Sequence, residues 1–153
     1  MKTRRVSTAR PADPHDPGVL TGPDYLDATE WPGGDPARTA EEWARAVFEG
    51  APGPVRTILR LGWRWGLQLR IGPYPAAGHV LGWPILESGP DRLVLGVRSA
   101  VLGRCRLVVE VDPDRMLLST AIRYGHRVSR PVWAVFGPVH RVVTRLLVTR
   151  AGR

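Results

Sequence analysis

The sequence predicts one α+β domain in which an antiparallel sheet packs against a long C-terminal helix. Residues 129–150 place apolar side chains at intervals of three and four, the spacing of a helix with one buried face. From residue 79 to residue 126, extended apolar segments are separated by turn residues every 10–12 positions, which is typical of an antiparallel meander. Because each element offers one apolar surface, we expect the two surfaces to pack together.

The predicted C-terminal helix begins at Ser129, a residue type that suits an N-cap, and Pro131 falls in the first turn. Gly137 and Pro138 interrupt its middle, so we expect a kink there rather than a break. Eight apolar side chains form the predicted buried stripe: Val132, Val135, Phe136, Val139, Val142, Val143, Leu146 and Leu147.

The N-terminal third is predicted to hold a tail, one strand and two shorter helices. Residues 1–22 are rich in proline, glycine and charge and are expected to be a mobile tail, which leaves residues 23–153 as a single domain. Residues 24–31 are predicted to form a strand. Asp35 is then expected to cap a helix that has Pro36 at its first position. Its predicted buried stripe is Trp43, Ala46, Val47 and Phe48.

A second helix is predicted for residues 55–67. Arg56, Arg60 and Arg64 follow one another at intervals of four, which indicates a solvated face. Trp65 is assigned to the core, with Arg64 covering Trp63.

Two turns set the predicted register of the sheet. A hairpin centred on Gly103 places Val97 opposite Val109, and a hairpin at residues 113–114 places Val109 opposite Leu118. The predicted apolar face contains alternate residues of the three strands: Leu93, Leu95, Val97, Ser99, Val101, Cys105, Leu107, Val109, Val111, Met116, Leu118, Thr120, Ile122, Tyr124 and His126. The predicted wet face contains Arg98, Arg106, Glu110, Ser119 and Arg123.

The order strand, helix, helix, antiparallel strands, long helix is the layout of the helix-grip fold of START-like lipid-transfer domains and polyketide cyclases. Three segments carry a closer likeness: DYLDATEW at residues 24–31, EEWARAVFEGAP with Arg56 and Leu59 after it, and FGPVHR at residues 136–141. With these the chain resembles a bacterial family of domains of unknown function in the START-like (SRPBCC, polyketide cyclase-like) superfamily. The likeness spans about residues 24–151 and implies the fold, without an agreed activity.

A helix-grip fold encloses a hollow between sheet and helix, and we expect it to bind a small, largely apolar molecule. The side chains expected to contact the ligand are Ser99, Thr120, Trp133, Phe136 and His140. Tyr124 and His126 are the candidate catalytic acid and base for cofactor-free cyclase, dehydratase or isomerase chemistry, although the sequence leaves open whether the protein is an enzyme.

Three alternatives stay open. In the first, Tyr124 and His126 end a strand at the protein surface and have no catalytic role. His140 would be a structural histidine bonded to a loop carbonyl. The whole domain would be a non-catalytic accessory or interaction module with a filled core.

Composition restricts the other classes of function. The histidines are too dispersed to predict a metal site, and no cofactor motif occurs. Cys105 is the single cysteine, which excludes an internal disulfide, and we expect it to be a small buried hydrophobe. The chain has no long apolar run and no signal peptide pattern, so a cytoplasmic location is expected.

Charge is unevenly distributed, with a net −3 over residues 1–50 and +11 over residues 51–153. A basic region of this kind suits nucleic acid or an anionic membrane. However, 21 of the 22 basic residues are arginine, which is typical of codon bias. We disfavour nucleic acid because the Gly62–Gly66 segment has helical spacing, and membrane contact because the sheet requires the apolar stripe of the last helix.

Overall fold

The computed structural model describes residues 7–8, 20, 22–33 and 37–153. Its main elements are one curved antiparallel sheet and a 24-residue C-terminal helix. The strands are β1 (Ser7–Thr8), β2 (Tyr25–Pro32), β3 (His79–Val80), β4 (Trp83–Ser88), β5 (Arg92–Ser99), β6 (Gly103–Asp112) and β7 (Arg115–Tyr124). The helices are α1 (Ala40–Phe48), α2 (Gly53–Leu61), a π-helical turn (Gly62–Gly66) and α3 (Ser129–Gly152). The strand order is β1-β2-β7-β6-β5-β4-β3, and the arrangement is the helix-grip fold that the sequence predicts.

The predicted N-terminal tail lies largely outside the described residues. Within it, Ser7 and Thr8 pair with Glu30 and Thr29 of β2. The predicted start of the first helix, at Asp35 and Pro36, also lies outside the described residues.

The meander has the predicted register at one hairpin and a shifted register at the other. Val109 lies opposite Leu118, as predicted. Val97 lies opposite Cys105 rather than Val109, because Gly103 begins β6 with φ 102° and does not centre the turn. The partner of Val97 moves by four residues, an even number, so the predicted alternation of faces is preserved.

The two faces of the sheet differ less in burial than the sequence predicts. The inner face is buried along most of its length, with Leu93, Leu95, Leu107, Met116, Leu118 and Ile122 in the main core. The outer face was expected to be wet, but Val94, Val108 and Ala121 form a second buried cluster there. Ser119 on that face is buried as well. The outer face therefore holds a small apolar centre, with the exposed Arg98 and Arg104 nearby.

Helix α1 begins at Ala40, and its N-cap is Thr39, whose hydroxyl accepts a hydrogen bond from the Glu42 N–H at 3.2 Å. Its buried face includes Ala40, Trp43, Ala44, Val47 and Phe48, whereas the predicted Ala46 is half-buried.

The π-helical turn changes which tryptophan enters the core. Trp63 packs edge-on against Phe48 and Trp83, with ring centroids 6.0 and 5.8 Å apart. Trp65, predicted as core, is instead 71% exposed, and the Arg64 guanidinium lies 5.5 Å from its ring rather than over Trp63. The prediction was wrong because a π turn is wider than an α turn and shifts every later side chain around the axis.

The arginine row of α2 is not a solvated face. Arg56 is half-buried and donates to the Tyr74 hydroxyl at 2.9 Å, and Arg60 donates to the Leu81 carbonyl at 3.3 Å. Both guanidinium groups also lie within 6 Å of the Tyr74 ring centre. These two arginines fasten α2 to the segments on both sides of β3, and only Arg64 of the row is exposed.

Helix α3 begins at Ser129, but Ser129 does not cap it. Its hydroxyl is buried, donates to the Val101 carbonyl at 2.6 Å and accepts from the His126 N–H at 3.1 Å. Ser129 thereby joins the β5–β6 turn to the start of the helix. Pro138 lies inside α3, which continues to Gly152 without a break. No helix in the described ranges is both long and apolar enough to cross a membrane.

The predicted buried stripe of α3 is wrong for five of its eight members, because the helix presents a face about a third of a turn away; Leu147 is buried as predicted, and Val132 and Val143 pack against the core. Five members of that stripe are 39–69% exposed: Val135, Phe136, Val139, Val142 and Leu146. The buried face consists of Ser129, Trp133, Gly137, Thr144, Leu147, Val148 and Ala151. At Gly152, a Cβ atom would lie 2.2 Å from the Trp31 indole. The helix approaches the sheet through small residues, which a count of branched aliphatic side chains does not reveal.

Two substitutions on α3 test which face is buried. Val148→Asp places a charge at a position with no exposure and should lower the free energy of unfolding by about 3–5 kcal/mol. Leu146→Asp, at a position that is 65% exposed, should change it by less than about 0.5 kcal/mol. Urea unfolding followed by circular dichroism measures both. Equal destabilisation by the two variants would contradict the assigned face.

Candidate functional site

A cavity of about 250 Å³ lies between the sheet, α2, the π-helical turn and α3. Leu107, Leu118 and Ile122 of the sheet form part of its wall. Its most exposed lining side chains are Ile58 of α2 and Val139 of α3. The cavity therefore opens to solvent between α2 and α3.

One polar cluster interrupts the apolar wall; we call it the Asp27 cluster, and it consists of Tyr25, Asp27, Thr120 and His140. Asp27 lies opposite Thr120 in the β2–β7 ladder, so both side chains point to the helix side of the sheet. His140 Nε2 lies 3.1 Å from Thr120 Oγ1 and 3.4 Å from Asp27 Oδ2. The Tyr25 hydroxyl donates to Asp27 Oδ2. Thr120 and His140 are the members of the cluster that line the cavity.

Trp133 and Arg141 hold the cluster in place from α3. The Trp133 ring contacts the Tyr25 ring edge-on at 5.1 Å and lies 5.2 Å from the His140 ring. Arg141 Nη1 donates to the Tyr25 hydroxyl at 3.3 Å. Aromatic contacts of this kind restrict ring rotation, so His140 has little freedom to leave Thr120.

The electrostatics of the cluster favour an ionised Asp27. Burial raises the pKa of this carboxyl, but the hydrogen bond from His140 and the positive charge of protonated His140, followed by hydrogen bonds from Tyr25 and Thr120, outweigh burial and hold the pKa below its ordinary value of 3.8. Burial, followed by the bond to Asp27, raises the pKa of Tyr25 to about 12. A carboxylate only accepts hydrogen bonds, so the contact with Asp27 requires hydrogen on His140 Nε2; in the neutral imidazole this leaves the lone pair on Nδ1.

Four of the predicted ligand-contacting residues line the cavity: Thr120, Trp133, Phe136 and His140. Ser99 does not line it. Its hydroxyl donates to the Leu67 carbonyl and accepts from the N–H groups of Val101 and Leu102. Ser99 therefore fixes the β5–β6 turn to the segment after the π-helical turn. His140 is bonded to a sheet hydroxyl, not to the loop carbonyl of the structural alternative.

Tyr124 and His126 are placed apart from the cavity lining, which differs from our expectation. Tyr124 ends β7, half-buried beneath the Arg130 guanidinium at 5.3 Å, and burial raises its pKa. His126 is exposed in the turn before α3. Their position matches the alternative in which both residues end a strand at the surface, and their catalytic roles stay a prediction.

Sequence reasoning missed Tyr25 and Asp27. The signal was present, because alternation along β2 places Tyr25, Asp27 and Trp31 on one face. A carboxylate between two aromatic residues on a core-facing side needs a partner, and that partner comes from α3. The Asp27 Oδ1 atom is buried and has no hydrogen-bond partner among the described residues.

The structure also bears on two other kinds of chemistry, a reactive cysteine and a metal site. Cys105 lines the cavity, but burial raises the pKa of its thiol to about 12, so it remains a neutral thiol. Within the described residues, no three His, Cys, Asp or Glu side chains come together as a metal ion would require.

Asp27→Asn tests the electrostatics of the cluster. The pKa of Asp27 is lowered in the fold, so ionised Asp27 stabilises the protein above pH 4 and loses that effect as the pH falls through its folded pKa. The variant should unfold with about 1–3 kcal/mol less free energy at pH 7, and the difference should shrink at pH 3. Urea unfolding at both pH values measures it, with Glu42→Gln on the exposed side of α1 as control. A deficit that is the same at both pH values would refute the charged role.

Comparisons with known proteins give fold-level likenesses alone. No family model matches the sequence, and no curated protein matches it. A solution structure of a protein from Arthrobacter aurescens is 9% identical, with 81% of this chain and 86% of that chain covered and a TM-score of 0.41. The crystal structure of CalU16 from Micromonospora echinospora is 12% identical, with 95% and 92% covered and a TM-score of 0.32. At these TM-scores the likenesses carry no functional argument, so function is inferred from the cavity itself.

Proposed function

We propose that the protein binds one small, largely apolar molecule in the cavity between the sheet and α3, with a single polar group at His140 and Thr120. The supporting observation is an apolar cavity whose wall is interrupted by one organised polar cluster. A mostly apolar pocket with few convergent polar groups is the usual form of a small-molecule site.

The volume of the cavity favours a ligand over a filled core. At about 250 Å³, it lies just below the range of roughly 300–1,000 Å³ in which drug-sized ligands bind. An accessory module with a filled core would pack its side chains to native density and leave no such space. The volume suits a molecule of two fused rings or a short acyl chain better than a sterol.

The polar end of the ligand is specified by His140 and Thr120. In the neutral imidazole, the Nδ1 lone pair of His140 accepts a hydrogen bond from a ligand hydroxyl, and the Thr120 hydroxyl, whose proton is donated to Asp27, is able to accept one. Asp27 fixes the tautomer of neutral His140 because its carboxylate accepts the hydrogen on Nε2. The apolar remainder of the ligand contacts Leu107, Leu118, Ile122 and Val143.

Acid–base catalysis without a cofactor is the second candidate function, and the Asp27–His140 pair favours it. A histidine held in one tautomer by a carboxylate is a suitable general base, because the carboxylate stabilises the imidazolium that forms. In an isomerase, dehydratase or cyclase, His140 Nδ1 would remove a proton next to a carbonyl. Tyr124 and His126 remain the other candidates for the acid and the base, and the exchange experiment distinguishes them from His140.

Binding is tested with 1-naphthol, a two-ring molecule with one hydroxyl. Trp63, Trp83 and Trp133 line the cavity, so a ligand should quench tryptophan fluorescence. Val143→Phe fills the cavity and should weaken the apparent affinity at least 10-fold, whereas Leu86→Phe, at an exposed position of β4 outside the cavity lining, should leave it unchanged. Equal affinity of both variants and the parent protein would exclude this cavity as the site.

Catalysis is tested with 1-tetralone, an apolar ketone of similar size, in deuterated water. A general base removes the proton next to the carbonyl to form the enolate, and solvent returns a deuteron, so NMR should show loss of that proton signal. His140→Ala should slow exchange by roughly 100-fold or more, whereas His126→Ala and Tyr124→Phe should not. Exchange that survives His140→Ala but is lost with His126→Ala or Tyr124→Phe would reassign the base or the acid.

A further inference from the structure

Exposed apolar side chains lie on both helices that border the mouth of the cavity. We call this set the apolar rim, and it consists of Ile58 and Leu61 of α2 and Val135, Val139, Val142 and Leu146 of α3. These side chains are 52–69% exposed. Single exposed hydrophobic residues are ordinary, but a row repeated at intervals of three and four on one helix is a patch, and patches of this kind mark interaction surfaces.

The rim is connected to the cavity. Ile58 and Val139 belong to both, because they line the cavity and are exposed to solvent. Val135 and Val142 lie one turn before and one turn after Val139 on the same side of α3. A molecule entering or leaving the cavity therefore crosses the rim.

A basic groove adjoins the cavity. It is lined by Arg64, Trp65, Arg70 and Ile71, and Leu69 lines both the groove and the cavity. Both arginines are exposed, and Arg64 lies over the face of Trp65. Arginine pairs strongly with phosphate, and an exposed tryptophan is the residue type preferred at the boundary between lipid headgroups and acyl chains.

We propose that the apolar rim and the basic groove dock on an anionic phospholipid bilayer, with the mouth of the cavity facing the membrane. The rim enters the acyl boundary, Trp65 lies at headgroup level, and Arg64 and Arg70 contact lipid phosphates. The sequence-based argument against membrane contact assumed that the sheet uses the Val/Leu row of α3. The structure shows five of the eight members of that row exposed, so the sheet does not occupy them.

Charge favours an anionic bilayer over a second copy of the chain as the partner of this surface. In a two-fold dimer the same patch faces itself, which would bring the two basic grooves to one interface. Residues 51–153 carry a net charge of +11, which adds to that repulsion and to attraction by an anionic surface. An anionic bilayer is therefore the occupant that satisfies both the rim and the groove.

Co-sedimentation of the full chain with vesicles tests the proposal. Vesicles of phosphatidylcholine with about one-third phosphatidylglycerol should bind the protein roughly 10-fold more strongly than pure phosphatidylcholine, and added salt should reduce the difference. Equal, weak partition to both vesicle types would overturn the proposal. The 1-naphthol titration, carried out without vesicles, reads the cavity separately, so failure of docking and failure of ligand binding are distinguishable.

Matched variants locate the contact. Val142→Asp and Leu146→Asp should each weaken binding to the anionic vesicles several-fold, and Arg64→Glu with Arg70→Glu should abolish the preference for them. Leu86→Asp is the apolar control, because Leu86 is 54% exposed on β4 and lies over Gly96 away from the mouth. Arg104→Glu on the outer face of the sheet is the charge control.

Two results would refute the assigned surface. Loss of vesicle binding by Arg104→Glu, with no loss in Val142→Asp, would place the contact on the outer face of the sheet. A concentration-dependent dimer in sedimentation velocity that Val142→Asp abolishes, together with no vesicle binding by the parent chain, would assign the rim to a second copy.

Discussion

The contact between α3 and the sheet determines what this protein buries and what it leaves open. The helix packs through Trp133, Thr144, Val148 and Ala151, and Trp31 of β2 lies directly on Gly152. Small residues at the C-terminal end bring that end close to the sheet. The bulky Trp133 near the N-terminal end and the half-buried Val143 in the middle line the cavity between helix and sheet. The same packing turns Val135, Val139, Val142 and Leu146 outward, so one contact explains the cavity and the apolar rim together.

The Asp27 cluster places a charge between the sheet and α3, beside the cavity that Thr120 and His140 line. Asp27 is 14% exposed and is ionised above its lowered pKa, and its partners come from β2, β7 and α3. In a region shielded from water such bonds are directional and orient the groups that take part in them. The cluster therefore connects helix to sheet and also presents His140 to the cavity with a defined tautomer. Its stabilising and binding roles depend on the same hydrogen bonds.

Sequence reasoning identified the architecture because hydrophobic periodicity reports which segments are strands or helices. The class of fold, the β6–β7 register and most inner-face residues followed from that pattern. It failed where a face depends on close approach, as at Gly152 against Trp31, or on a local change of helical pitch, as at Gly62–Gly66. Both failures concerned rotation about a helix axis and exchanged buried for exposed residues, as Trp65 and Leu146 illustrate.

For the site, sequence reasoning selected Thr120, Trp133, Phe136 and His140, which line the cavity, because inward polar or aromatic residues are few. It passed over Asp27, since a lone carboxylate on a first strand has no visible partner until β2 is paired with β7. Tyr124 and His126 followed the same alternation, but the sheet reaches beyond the cavity at that end of β7. Alternation gives the face of a residue and not its distance from the helix that covers the face.

A crystal structure of the protein grown with 1-naphthol tests the central claim most directly. The predicted result is one molecule between α3 and the sheet, its rings against Leu118 and Val143 and its hydroxyl within hydrogen-bond distance of His140 or Thr120. A structure in which the lining side chains fill that space, with 1-naphthol bound elsewhere or not at all, would contradict the claim that this fold encloses a binding site.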